Sequence, residues 1–438
     1  MPVTSSAGEP GTGVSVGRAR PGPVTPTRLV VRTVPIDDPG DLPVLLPAVD
    51  DPLCWLRGDE GMVGWGVAAQ AEFRGADRFA DADSWWTRTC GTAVVRDEVD
   101  RPGTGPVAFG SFAFTDREPS LLTVPEVVVG RWNGHAWLTI AGTPEVLPMG
   151  EVPVPGAARP AAPARLAFAD GARNGSAWMG VVADAVRRIC AGELDKVVLA
   201  RDLIATAAEP VDLRYPVSRL VQRYPACWTY CVQGLVGATP ELLVRLSGGL
   251  VTSRVLAGTI RRTGDDAHDL ALAASLARSS KDLEEHEYAV QSVATSLAPH
   301  CTGMNVPDGP FVLHLPNVMH LATDVTGVLR DDVSVLRLAG ALHPSAAVCG
   351  TPTGAAQALI AEAEGMSRGR YAGPVGWIGA GGDGEFGIAL RCAQRDPHDP
   401  SRLRLFAGCG IVAGSDPAAE LAESVAKTVP MRDALALD

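Results

Sequence analysis

Lys196 opens a strand-like apolar run, Lys196-Val-Val-Leu-Ala-Arg201. If its side chain points inward, loss of water favours the neutral amine, which is a base. An outward, solvated lysine fits the alternation of a strand equally well. Two helix-like segments carry carboxylates on one face: Asp282 and Glu285 are three residues apart, and Glu420, Glu423 and Lys427 follow at i, i+3 and i+7. Facing one another, they would make a hard-oxygen site suited to Mg2+. By spacing alone, such charges are more often solvated faces of amphipathic helices. Glu241 follows a Thr-Pro turn in Gly237-Ala-Thr-Pro-Glu241, and Arg391 ends a hydrophobic run. Glu241 would serve as a positioned acid, or simply as a turn carboxylate. Taken together, these residues suggest a divalent metal, an anionic substrate and a base, with no organic cofactor.

The elements that must position them follow from pattern. Asn174 caps an expected helix over 176–191, with Trp178, Val181, Val182 and Val186 on its apolar side. Further helices are expected over 265–278, 281–297 and 353–364. A last one runs over 417–435, behind Ser415 or Asp416 as cap and Pro417 in its first turn. Strands are expected at 196–204, 228–234, 242–246, 376–378, 385–393 and 403–407. Toward the N-terminus, short β-rich runs at 29–34, 64–68, 107–110 and 126–130, punctuated by Gly and Pro, imply a large sheet. Residues 1–27 read as a disordered tail and 152–164 as a Pro/Ala connector.

Two glycine-rich segments invite a nucleotide reading. Gly379-Ala-Gly-Gly-Asp-Gly384 matches the dinucleotide pattern literally, but strands flank it and Asp-Gly signals a hairpin. Gly408-Cys-Gly-Ile-Val-Ala-Gly414 lies between a strand and a helix, where its amides would bind a carboxylate. His286, His320 and His343 lack metal-ligand spacing, and Met319 reads as packing.

Composition narrows the class. The 438 residues are 46% hydrophobic and 20% charged, as in a packed globular protein. A net charge of −12 disfavours nucleic acid as a partner. No apolar run reaches the roughly 18 residues of a membrane span. Nine scattered cysteines without a Cys-x-x-Cys pair, and no secretory signal, suit a reducing cytoplasm.

In order over 196–427, the chain resembles the chorismate-utilising enzymes, and within them the isochorismate synthase type. The matching blocks are Lys196-Val-Val-Leu-Ala-Arg201, Gly237-Ala-Thr-Pro-Glu-Leu-Leu243, Leu256-Ala-Gly-Thr259, Ser280-Lys-Asp-Leu-Glu-Glu-His286, His320-Leu-Ala-Thr323, Tyr371-Ala-Gly-Pro-Val-Gly-Trp377, Ile388-Ala-Leu-Arg391 and Ala407-Gly-Cys-Gly-Ile-Val-Ala-Gly414, then Glu420, Glu423 and Lys427. The resemblance implies an α+β fold of large antiparallel sheets packed with helices. Residues 28–175 would form its N-terminal β-rich part and 176–438 its chorismate-binding catalytic region.

It also implies roles. Lys196 would deprotonate a water attacking C2 of chorismate, and Glu241 would protonate the departing C4 hydroxyl. Mg2+ would be held by Glu285 and Glu423, with Asp282 and Glu420 nearby. Tyr371, Arg391, Lys427 and the amides near Gly408 would hold carboxylates; His320 belongs to the same substrate-binding set, and Thr259, Ala347 and Val348 would shape the pocket around the nucleophile. A lysine at 196 and Ala257 favour water over ammonia, so no glutamine amidotransferase subunit is expected, and a monomer is. The product would enter menaquinone, siderophore or other secondary metabolism. Salicylate synthases share Lys196 and Glu241 but eliminate pyruvate, and are the alternative activity; a non-catalytic chorismate-binding protein would be expected to lose these residues. Leu283, Met319, Ala346 and Cys349 depart from the family pattern.

Overall fold

In a computed structural model that describes residues 28–49, 51–144 and 159–436, two large β-sheets lie at the centre. Among the described residues one sheet has thirteen strands and the other ten. Pairing is antiparallel throughout except between Val30–Ile36 and Val94–Asp97. In the larger sheet Lys196–Thr206 lies against Arg402–Ile411, followed by Cys392–Arg395, Leu235–Thr239, Trp228–Val232 and Leu53–Arg57. The smaller sheet is built on Val318–Leu329, Leu250–Arg261, Leu242–Ser247, Gly384–Ile388, Pro374–Gly379 and Val107–Ser111. Both therefore mix strands from before and after residue 175. The tail at 1–27 and the connector up to residue 158 lie outside the described residues.

Apolar side chains from both sheets meet in one core, with Trp55, Leu199 and Tyr230 from the larger and Phe109, Val244 and Phe386 from the smaller. A second core covers the larger sheet with helices Arg214–Arg223 and Pro417–Leu435, through Val217, Leu220, Val236 and Met431. Burial of this kind, at about 25 cal/mol per Å2 of apolar surface, is what holds layered sheets together.

The capped helices form as their signals predict. Asn174 accepts from the Ala177 amide at 2.9 Å and starts Gly175–Cys190. Asp416 accepts from the Ala419 amide at 2.8 Å, with Pro417 following, and starts Pro417–Leu435. Helices Asp266–Leu276, Ser280–Leu297 and Thr353–Ala363 also form.

Three expectations are corrected. The run at 64–68 is not a strand: Glu60–Trp65 ends there, Gly66 turns the chain at φ +72°, and Ala69–Phe73 joins the other sheet. The run at 385–393 is two strands in different sheets, Gly384–Ile388 and Cys392–Arg395. Gly408 and Gly410 belong to strand Arg402–Ile411 rather than to a loop. The discarded nucleotide pattern at 379–384 is the hairpin between Pro374–Gly379 and Gly384–Ile388.

Candidate active site

Two of the chain's crossings between the sheets adjoin each other, and both put a functional side chain at the seam. At the first, Thr239-Pro-Glu241 links Leu235–Thr239 to Leu242–Ser247; the Glu241 amide donates to Thr239 Oγ1 at 3.2 Å. At the second, Ala389-Leu-Arg391 links Gly384–Ile388 to Cys392–Arg395. Backbone bonds join the two crossings: the Ile388 amide donates to the Glu241 carbonyl at 3.2 Å, and the Ala238 amide to the Arg391 carbonyl at 3.4 Å. Arg391 sits at φ +50° and nearby Ala372 at φ +61°, a region costly for residues with a Cβ. Such strain is held where surrounding structure over-determines it, often beside a site.

Both crossings border a cavity of about 250 Å3. Lys196 and Val198 line it from the first turn of their strand's alternation, on the same face two residues apart. Glu241 lines it as well and is buried. Burial pushes the Glu241 carboxyl up to about 8, although Lys196, Arg391 and Lys427 each pull it down. A carboxyl so placed holds a proton at neutral pH. Burial likewise lowers the Arg391 guanidinium from its ordinary value, while Tyr371 and Glu423 support its charge.

His320 and Thr259 face each other across paired strands, with His320 Nδ1 and Thr259 Oγ1 3.0 Å apart. Burial, with help from Arg391 and Lys427, drives the imidazole down to about 3, so it is neutral. Its Nε2 has no hydrogen-bond partner among the described residues. The ring lines the cavity, so a polar ligand group there would satisfy that atom.

Carboxylates gather at the cavity wall. Glu420 and Glu423 come from the first turns of Pro417–Leu435 and Asp282 from the first turn of Ser280–Leu297. Glu423 Oε1 accepts from Lys427 Nζ at 2.5 Å, and the same ammonium donates to the Gly408 carbonyl at 3.0 Å. Ligand atoms of Glu420, Glu423 and Cys409 lie within 4.8 Å of one another. The Cys409 thiol, pushed up to about 12 by burial, donates to the Glu420 carbonyl at 3.4 Å. A protonated thiol is a poor ligand, which leaves oxygen donors, the chemistry a hard divalent cation takes. Glu285 lies in the same helix as Asp282, three residues on; its side chain is outside those described.

Two glycines make room. Gly258, at φ +75°, is a bulge between Ala257 and Thr259. A Cβ there would meet the Asp282 Cβ at 3.2 Å, so the bulge lets the carboxylate helix approach. At Gly408 a Cβ would meet the Tyr371 hydroxyl at 2.8 Å. Gly408 pairs with Ala200 in the sheet, so its contribution is space rather than a loop amide.

The family model described as "Chorismate binding enzyme" matches residues 54–145 and 157–436. The chain belongs to this family. An isochorismate synthase of salicylate biosynthesis from Pseudomonas aeruginosa is 34% identical over 414 residues, 87% of this chain and 84% of its own. The isochorismate synthase DhbC of Bacillus subtilis is 39% identical over 269 residues, 59% of this chain and 67% of its own. The menaquinone-specific isochorismate synthase MenF of Escherichia coli superposes with a TM-score of 0.76 at 24% identity, over 94% of this chain and 95% of that one, and shows the same fold.

In this chorismate-binding enzyme one cavity collects every proposed site residue whose side chain is described, with Ala347 and Val348 completing one wall. Leu283, Met319, Ala346 and Cys349 do not line it. Leu283 packs against a small apolar cluster of Ala273, Leu276, Met319 and Leu321, so these two departures from the family pattern share one cluster. Phe406 is a wall residue that sequence reasoning passed over. It stacks on Tyr371 with ring centroids 5.0 Å apart and nearly parallel planes. Its alternation with Gly408 and Gly410 along one strand was the available signal.

No helix among the described residues is long and apolar enough to cross a membrane.

Proposed function

We propose that this enzyme is an isochorismate synthase, isomerising chorismate by adding water at C2 and expelling the C4 hydroxyl. One observation carries the reading: a buried carboxyl, Glu241, shares its cavity with a strand lysine, Lys196, and burial favours the carboxyl's protonated form. The reaction needs that pair, because water is a weak nucleophile and hydroxide a poor leaving group.

Lys196 takes the proton of the attacking water, and Glu241 gives its proton to the leaving hydroxyl as the ring double bonds shift. Arg391 binds a substrate carboxylate with Tyr371 beside it. Neutral His320, fixed through Nδ1 to Thr259, presents Nε2 to a polar group of the substrate. Ala347 and Val348 bound the space from which water approaches. Asp282, Glu420 and Glu423 would hold Mg2+, with Glu285 from the same helix as Asp282. Bound there, the ion would neutralise and orient a substrate carboxylate. Lys427, now paired with Glu423, would then turn its charge to substrate as well. With lysine at 196 and alanine at 257 we read water, not ammonia, as the nucleophile, and the enzyme as a cytoplasmic monomer without an amidotransferase partner; its nine free thiols suit a reducing compartment.

Incubation of the protein with chorismate and Mg2+ tests the reading. Isochorismate should accumulate to an equilibrium mixture, with EDTA abolishing turnover, and isochorismate supplied alone should return chorismate. Salicylate with pyruvate as main products would replace this activity by salicylate synthesis.

A further inference from the structure

The strand that carries Lys196 has an incomplete outer edge. Arg402–Ile411 covers its inner side throughout. On the outer side, Gly350–Thr351 pairs only with Lys196 and Val197, and Ala167–Asp170 only with Leu203–Thr206. The Gly171 amide donates to the Asp202 carbonyl at 3.1 Å, so residues 198–201 face a gap where a neighbouring strand would be.

Three side chains and one backbone carbonyl fill it. The Ala200 amide donates to Glu364 Oε1 at 2.7 Å, and the Val198 carbonyl accepts from an Arg368 terminal nitrogen at 2.7 Å. The Ala200 carbonyl accepts from Trp178 Nε1 at 3.2 Å, and the Val198 amide donates to the Cys349 carbonyl at 2.8 Å. Glu364 and Arg368 are themselves an ion pair at 2.5 Å, with side chains only 1% and 2% exposed. A buried pair is costly unless its remaining lone pairs and protons are used. Here they are. The second terminal nitrogen of Arg368 donates to the Val348 carbonyl at 2.8 Å, and the guanidinium lies over the Phe114 ring at 4.3 Å.

One guanidinium thus ties together two adjoining stretches of the cavity lining: the Val198 peptide, two residues from Lys196, and the Val348 peptide. We infer that Arg368, oriented by Glu364, is a positioning residue that fixes how the Ala347–Val348 stretch stands beside the catalytic lysine, and so the place from which water attacks. A lysine at 368 would keep a charge for Glu364 but has no rigid second arm for both carbonyls. Misplacement of reacting groups by about 1 Å can cost on the order of 100-fold in rate. The inference rests on the proposed water addition, and it concerns turnover rather than substrate affinity.

Arg368 also lines a second cavity of about 260 Å3, together with Gln394, Arg404 and Phe406. Truncation at 368 would open into that space, which gives a small cation a way in. The test is kinetic and chemical. Arg368→Ala should lower kcat roughly 10- to 100-fold with the chorismate KM within about threefold. Guanidinium well below denaturing concentrations should restore a large part of kcat, while equal NaCl should not. Rescue should be absent in Lys196→Ala. An unchanged kcat, a loss confined to KM, or no guanidinium rescue would overturn the inference. Should the alanine variant not fold, Arg368→Lys decides: lowered kcat at kept KM supports positioning, and wild-type kcat refutes it. Hydrogen exchange at the Ala200 amide gives a readout independent of chorismate. It should quicken in Arg368→Ala or Arg368→Lys and slow again when guanidinium is added to the former. Inert wild-type protein with this exchange response would sink the proposed reaction and leave the clamp standing; exchange unaffected by either substitution would sink the clamp.

Discussion

Glu241 holds its proton because burial outweighs three cations, Lys196, Arg391 and Lys427, that each favour the carboxylate. A raised carboxyl pKa means the acid form predominates below about 8 and is lost above it. Turnover should therefore fall on the alkaline side with an apparent pKa near 8, and Glu241→Gln should lose roughly 10²–10⁴-fold in kcat at neutral pH. A profile flat through pH 9 would count against Glu241 as the acid. Lys196→Ala should suffer a loss of similar size, again roughly 10²–10⁴-fold. A near-normal rate would make it an ordinary strand lysine. At this scale the sequence was informative through order: the blocks over 196–427 name the cavity's polar residues, and the structure brings them together. The protonation of Glu241 was beyond sequence, because it comes from burial at a crossing between sheets. Glu364 and Arg368 escaped for the same reason: charges four residues apart carry no mark of burial, and only the missing strand partner at 198–201 gives them meaning.

At the scale of elements, the cavity depends on irregularities in otherwise regular strands. The bulge at Gly258 admits Asp282, and the crossings at 239–242 and 388–392 aim Glu241 and Arg391. Gly258→Ala places a Cβ 3.2 Å from that of Asp282 in a left-handed conformation. It should raise the Mg2+ concentration needed for half-maximal activity several-fold, with a smaller effect on kcat at saturating Mg2+. Unchanged metal dependence would detach the bulge from the carboxylate site. Helices with a cap and a periodic face, such as Gly175–Cys190 and Pro417–Leu435, were legible to within a residue or so. The long strands Leu250–Arg261 and Val318–Leu329 were not. Leu250–Arg261 alternates in burial over its first half, but with Ser253 inward and Leu250 outward its residue types hide this; Val318–Leu329 is buried on both faces over its first half and carries His, Asp and Gly.

For the whole molecule, the catalytic blocks lie in the second half of the chain, yet both sheets need the first. Trp228–Val232 pairs with Leu53–Arg57, and Pro374–Gly379 pairs with Val107–Ser111. A fragment of residues 176–438 would expose those strand edges and the shared core. It should be insoluble or unfolded by circular dichroism, and co-production with residues 28–175 should restore folding. A fragment that folds and turns over chorismate alone would show that the first half is dispensable. The β-rich character of that half was readable from its short apolar runs, but its interleaving with the catalytic strands was not, since pairing across more than 100 residues leaves no local trace.

The account's central claim is that water attacks C2 while the C4 hydroxyl leaves, with Lys196 and Glu241 on either side of one ring. Turnover of chorismate and Mg2+ in water enriched in oxygen-18, followed by mass analysis of the product, tests it most directly. Isochorismate carrying one solvent oxygen, at the C2 hydroxyl, is the expected result. Isochorismate that retains chorismate's own hydroxyl oxygen, or a product other than isochorismate, would contradict it.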